Sequence, residues 1–89
     1  MIVEHFYYDE TKQLNSAEKK VRELDHLRTS IGEDAYRTGV ANIWAQYYSE
    51  QTDSYGRKFN RREVAFRVNT KLKNSGLETY SYGWFRGNY

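Results

Sequence analysis

The chain has 89 residues and no cysteine, so it is long enough for one domain, 1–89, and excludes a disulfide framework, a thiolate metal site and a cysteine nucleophile. Its net charge of +2 is unevenly distributed: residues 57–73 hold seven basic side chains and one acid, whereas residues 1–56 hold six basic and ten acidic side chains. Concentrated positive charge is typical of proteins that bind a polyanion or an acidic surface.

The N-terminal residues predict a strand followed by a helix. Residues 2–8 are β-branched and aromatic with one acidic interruption, which favours a strand, and residues 9–12 are expected to form a turn. Residues 15–18, Asn-Ser-Ala-Glu, match a capping box, so a first helix is expected to begin there and to end at Gly32. Its apolar residues share one face and are predicted to be buried: Ala17, Val21, Leu24, Leu27 and Ile31.

A second helix is predicted to follow directly. Glu33 and Asp34 place negative charge where a helix N-terminus favours it, and the helical pattern continues to about Glu50. Its predicted buried stripe consists of Tyr36, Val40, Ile43, Trp44 and Tyr47. Residues 52–56 contain several turn formers, which are expected to end this helix.

A third helix is predicted over residues 61–74. Residues 60–63, Asn-Arg-Arg-Glu, repeat the capping-box pattern, and Phe59 can pack on Val64 as a hydrophobic staple. Residues 74–76, Asn-Ser-Gly, are a typical helix stop.

The C-terminal residues predict a second strand, because polar and aromatic residues alternate with a period of two over residues 78–84. This strand is expected to pair with residues 2–8, so that their aromatic side chains support the helices. The expected fold class is therefore α+β: a single small domain of three helices packed on a small antiparallel sheet formed by the N- and C-terminal strands.

The third helix carries most of the positive charge. The residues predicted to face the core are Val64, Ala65, Val68 and Leu72. The residues that form a stripe pointing away from that core are Arg62, Phe66, Asn69 and Lys73. Arg67 and Lys71 flank the stripe, and Arg57, Lys58 and Arg61 cluster at the helix N-terminus. Because the helix dipole disfavours cations there, helix stability gives no reason for that cluster.

These residue types suit nucleic acid, because Arg pairs with guanine or phosphate and Asn pairs with adenine. The residues expected to hold phosphates are Arg57, Lys58, Arg61, Arg67 and Lys71. The residues expected to reach bases are Arg62, Asn69 and Lys73, with Phe66 against a thymine methyl or an unstacked base. The predicted function is a small non-catalytic protein, accessory or regulatory, that binds DNA or RNA. Dimerisation would add a second half-site, although the sequence does not show it.

Phe66 divides two interpretations of this helix. If it is exposed beside Arg62 and Lys73, it invites stacking against a base. If the C-terminal strand covers it, Phe66 extends the core, and the sequence favours this second interpretation. A helix-turn-helix built from the second and third helices is a further arrangement, but the linker over residues 52–59 is longer than the three or four residues of such a pair.

A rival function is a protein-binding inhibitor or adaptor, of the type that phages and mobile elements encode against a partner such as a nucleic-acid-processing enzyme. The basic helix would then dock on an acidic surface of the partner, and Tyr and Trp would act as anchors. A solvated basic face that only balances the acidic first half of the chain is a structural alternative of comparable weight, and a membrane surface is a distant third.

No enzyme, cofactor or metal is predicted. His5 and His26 do not have metal-ligand spacing, and the acidic pairs at residues 9–10 and 33–34 are explained as turn and helix-start residues. The longest apolar run is far shorter than the roughly 20 residues that span a bilayer, and residues 1–5 lack the pattern of a secretory leader. A soluble, cytoplasmic protein without a membrane partner is therefore expected.

Overall fold

The structure, a computed structural model, describes residues 2–88, and for residues 2–12 it describes the helical backbone alone. The described residues form four helices and no strand. In chain order these are α1 (Ile2–Ile31), α2 (Glu33–Ser49), α3 (Arg61–Asn74) and α4 (Tyr82–Asn88). Helix α1 packs on α2, α2 packs on α3, and α3 packs on α4. The predicted α+β class with an antiparallel sheet is therefore wrong, and the described chain is all-helical.

Helix α1 is one continuous helix in place of the predicted strand, turn and separate helix. Residues 9–12 contain neither Gly nor Pro, so the chain has no breaker between the two predicted elements. The capping-box pattern of residues 15–18 consequently lies inside α1, where the backbone amides are paired within the helix. A strand over residues 2–8 would also need a partner strand, and the C-terminal residues form α4 instead.

Helices α1 and α2 approach closely at Gly39. A Cβ atom at this position would lie 2.6 Å from Leu24 Cδ2, so a larger residue there would require the Leu24 side chain to shift. Ala17 is buried in the core, and Val21 and Leu24 are partly buried against it. The predicted buried face of α1 is therefore confirmed in this stretch, but it is wrong for two residues that are exposed: Leu27 and Ile31.

Polar contacts join the last turns of α1 to α2. The Arg28 guanidinium lies 4.3 Å from the ring centroid of Tyr36 and donates from Nε and Nη2 to the Glu33 carboxylate, at 2.7 and 2.8 Å. The Tyr36 hydroxyl donates a hydrogen bond to Asp25. Burial and this hydrogen bond raise the pKa of Tyr36 above its ordinary value of 10.0. These contacts fix the turn at Gly32, whose φ of 90° favours glycine.

The second and third helices are confirmed. Helix α2 spans Glu33–Ser49, and its buried residues are Tyr36, Val40, Ala41, Trp44 and Ala45. Helix α3 spans Arg61–Asn74, and Asn60 caps it by accepting a hydrogen bond from the Glu63 amide at 2.9 Å. All four residues predicted to face the core are buried: Val64, Ala65, Val68 and Leu72.

The predicted strand over residues 78–84 is wrong. An irregular segment follows α3, and its backbone is bonded by side chains instead of by a neighbouring strand. Arg37 of α2 donates from Nε to the Glu78 carbonyl at 2.8 Å and from Nη2 to the Thr79 carbonyl at 2.7 Å. Asn69 of α3 bonds both the amide and the carbonyl of Tyr80. The alternating pattern therefore belongs to an irregular segment, which the side chains of Arg37 and Asn69 bind, and to the start of α4.

Helix α4 completes the core. Phe85 is fully buried, and the Tyr80 ring stacks on Trp84 with 4.0 Å between ring centroids and 12° between planes. The buried side chains of the described residues form one cluster that draws on all four helices. No helix that the structure describes is both long enough and apolar enough to cross a bilayer.

Candidate nucleic-acid interface

Most of the predicted site residues are exposed on α3 or on the loop that precedes it. The exposed residues are Arg57, Lys58, Arg61, Arg62, Phe66, Arg67 and Lys73, whereas Asn69 and Lys71 are partly buried. The Phe66 side chain is 72% exposed, so the interpretation in which the C-terminus covers it is wrong. The C-terminal segment packs along the neighbouring side of α3, where Asn69 binds it. We call Arg62, Phe66, Arg67 and Lys73 the basic face.

Two arginines of the basic face lie over aromatic rings. The Arg62 guanidinium carbon is 5.5 Å from the ring centroid of Tyr82, and that of Arg67 is 4.2 Å from the ring centroid of Phe59. Within the part of the chain whose side chains are described, neither guanidinium has a hydrogen bond or an ion pair. A cation–π contact restrains a guanidinium and leaves its N–H groups available. Both side chains can therefore bind an anion without losing an internal partner.

The two lysines of α3 differ in their surroundings. Lys71 is partly buried, with Nζ 4.4 Å from the ring centroid of Trp44 in α2. This contact covers the core, so Lys71 has a packing role that the sequence did not indicate. Lys73 is exposed and, among the described residues, makes no such contact. Lys73 is thus the better candidate of the two for binding a phosphate.

Asn69 is occupied within the fold. Its Nδ2 donates to the Tyr80 carbonyl at 2.8 Å, and its Oδ1 accepts from the Tyr80 amide at 2.9 Å. An adenine would need the same donor and acceptor. The predicted base-reading role of Asn69 is therefore incompatible with this conformation, and its amide instead fixes the C-terminal segment on α3.

The loop over residues 50–60 is folded rather than open. Asp53 Oδ1 accepts from the amides of Tyr55 and Arg57, at 2.8 and 3.0 Å, and Thr52 bridges to Lys58. The tight turn exposes the Arg57 and Lys58 side chains immediately before α3. Its length separates α2 and α3 by more residues than a helix-turn-helix allows, as the sequence indicated.

A groove runs beside the basic face, between α3 and α4. It has a volume of about 320 Å³ and is lined by Arg62, Ala65, Phe66, Asn69 and Tyr82. Tyr82, which is 39% exposed, was not among the predicted site residues. The strand prediction for residues 78–84 did not place Tyr82 beside α3. The only sequence feature that pointed to this region was the high density of aromatic residues near the C-terminus.

Comparison with known protein families, with curated proteins and with solved structures yields no match. The function of the basic face is therefore argued from its own side chains. Three properties count here: the exposure of Phe66, the guanidinium groups of Arg62 and Arg67, which no described residue bonds, and the adjacent groove.

Proposed function

We propose that the chain is a small, non-catalytic nucleic-acid-binding protein, accessory or regulatory in role, in which the cations of the basic face and of the preceding loop contact the phosphate backbone. The observation that carries the proposal is the state of Arg62 and Arg67. Both are restrained over aromatic rings, yet no described residue uses their N–H donors. Charged donors arranged in this way match the planar, multidentate recognition of phosphate.

The charge around these arginines supports a polyanion. Glu63 is the only acid among residues 57–73, and the five other basic residues of that segment extend along α3 and its loop. The proposed phosphate ligands are Arg57, Lys58, Arg61, Arg62, Arg67 and Lys73. Asn69 and Lys71 are left out, because Tyr80 and Trp44 respectively engage them. A cytoplasmic location, which the absence of cysteine suits, is part of the proposal.

The test is fluorescence anisotropy of the purified protein with labelled duplex DNA, single-stranded DNA and RNA across a salt titration. If the six proposed cations each neutralise one phosphate, log K should fall against log salt with a slope of about −5 for duplex DNA. Binding to at least one of the three with a slope steeper than about −2 supports the proposal. Absence of binding to all three at low salt would contradict it.

A second candidate function is docking on an acidic protein surface, as an inhibitor or adaptor. Two large aromatic side chains favour it, since Tyr55 is 81% exposed and Phe66 is 72% exposed. Aromatic anchors with arginine nearby are also typical of protein-binding sites. If nucleic acid does not bind, affinity capture from native host extract with the wild-type chain and with Phe66→Ala would test this candidate directly.

A further inference from the structure

The groove between α3 and α4 has aromatic residues on both helices and a cation at its edge. Phe66 lies on α3, Tyr82 begins α4, and Arg62 lies over the Tyr82 ring. The groove volume of about 320 Å³ falls at the lower end of the range for small-molecule pockets, about 300–1,000 Å³. Asn69 also lines the groove, and its side-chain amide is already bonded to the Tyr80 backbone. The groove thus offers ring surface and charge rather than a base-reading amide.

We propose that this groove binds one unpaired nucleobase, stacked on Phe66, so that the protein prefers single-stranded nucleic acid over duplex. This inference rests on the proposed function. A paired base offers only its edge to a protein, whereas an unpaired base can present its π-face to an exposed ring. Phe66 has such a ring. The Asn69 amide, which would read a base edge in a duplex, is bonded to Tyr80 instead.

The order of residues along α3 fits a strand that follows the helix. With a rise of about 1.5 Å per residue, Arg62 lies about 6 Å before Phe66 along the axis, and Lys73 lies about 10 Å after it. A phosphate can therefore meet a cation on each side of the stacked base. Because every base has a π-face, this arrangement predicts little sequence preference.

The experiment compares three ligands of equal length by anisotropy: oligo(dT), the same backbone without bases, and a dT·dA duplex. The abasic strand has the phosphates but nothing to stack, so it separates stacking from charge. Wild-type protein should bind oligo(dT) about 5- to 150-fold more tightly than the abasic strand, the factor that one base–aromatic stack gives. It should also bind oligo(dT) more tightly than the duplex.

Variants assign the preference to Phe66. Phe66→Leu should lower oligo(dT) binding to the level of the abasic strand and leave abasic binding unchanged, whereas Phe66→Tyr should retain the preference. Leu27→Ala, which removes an exposed apolar side chain of α1, is the matched control and should change neither. Since Phe66 is exposed, these substitutions leave the fold intact.

Each outcome is decisive. Equal, salt-dependent binding of oligo(dT) and the abasic strand overturns the stacking site while the proposed phosphate binding stands. A preference for oligo(dT) that persists in Phe66→Leu overturns the assignment to this groove. Absence of binding to all three ligands overturns the proposed function and the inference with it.

Discussion

Arg28 of α1 and Arg37 of α2 differ from Arg62 and Arg67 of α3 in what their N–H groups contact. Arg28 lies over Tyr36 and bonds the Glu33 carboxylate, and Arg37 lies over Tyr80 and bonds two carbonyls. Arg62 and Arg67 also lie over rings, but no described residue accepts their hydrogen bonds.

The same ring contact therefore has two consequences. In the first pair of helices it accompanies hydrogen bonds that fix the turn at Gly32 and the C-terminal segment. On α3 it restrains arginines whose donors no side chain or backbone group of the described residues accepts. A count of positive charges does not distinguish structural arginines from candidate binding arginines. The hydrogen bonds that their guanidinium groups make within the fold do distinguish them.

The largest expected effect is a loss of stability when the packing of α4 on α3 is disrupted. Phe85 is fully buried, so Phe85→Ala should lower the free energy of unfolding by about 3–5 kcal/mol, measured by urea denaturation. Phe66→Ala is the matched control: the same substitution at an exposed site should change it by no more than about 0.5 kcal/mol. Equal losses in the two variants would contradict the placement of α4.

Asn69→Ala should lower the free energy of unfolding by about 1–2 kcal/mol, because it removes two hydrogen bonds to the Tyr80 backbone. Asn74→Ala, at an exposed position of the same helix, should have little effect. Binding to the dT·dA duplex, which presents adenine edges, should be unchanged in both. A variant Asn69→Ala with full stability and weakened binding would restore the base-reading role that the sequence suggested.

Tyr36→Phe should remove part of the alkaline loss of stability. The folded-state pKa of Tyr36 is raised by burial and by Asp25, so its contribution is present below pH 10 and is lost as pH rises through that higher pKa. At neutral pH the variant should lose about 0.5–1.5 kcal/mol of unfolding free energy. Urea denaturation at pH values from about 8 to 11 measures both effects. An alkaline slope identical to that of the wild type and of the exposed control Tyr55→Phe would contradict this account.

Glu63→Gln should have the smallest effects, with opposite signs on binding and stability. Removing the one acid of residues 57–73 should tighten nucleic-acid binding about two- to fivefold at low salt. Loss of a negative charge from the first turn of α3 should cost about 0.3–1 kcal/mol of unfolding free energy. Glu18→Gln, which makes the same charge change on α1, should leave binding nearly unaltered in the same anisotropy titration.

Local signals in the sequence predicted α2 and α3 because those helices begin and end where the chain itself provides a start and a stop. Asn60 caps α3 and Gly76, with φ 75°, follows it, so its bounds of residues 61–74 match the prediction. The two strand predictions failed because β propensity describes a half-buried pleated surface and depends on a partner strand. Residues 78–80 instead find their backbone partners in the side chains of Arg37 and Asn69, which are distant in sequence.

The candidate site was predictable in its charge but not in its geometry. The basic residues of α3 were evident from composition, and the four core-facing positions followed from helical periodicity. Which side chains are available for a ligand depends on tertiary contacts, such as Lys71 against Trp44 and Asn69 against Tyr80. The position of Tyr82 beside Arg62 depends on the fold of α4, which the sequence did not predict.

The most direct test of the central claim compares two double variants with the same loss of charge. Arg62→Gln with Arg67→Gln removes the two ring-supported arginines, and Lys19→Gln with Arg22→Gln removes two exposed cations of α1. Anisotropy with oligo(dT) across a salt titration should show a slope smaller in magnitude by about 1.4 in the α3 variant and unchanged in the α1 variant, with similar melting temperatures. An equal loss of slope in both variants would show that net charge, rather than the basic face of α3, governs binding.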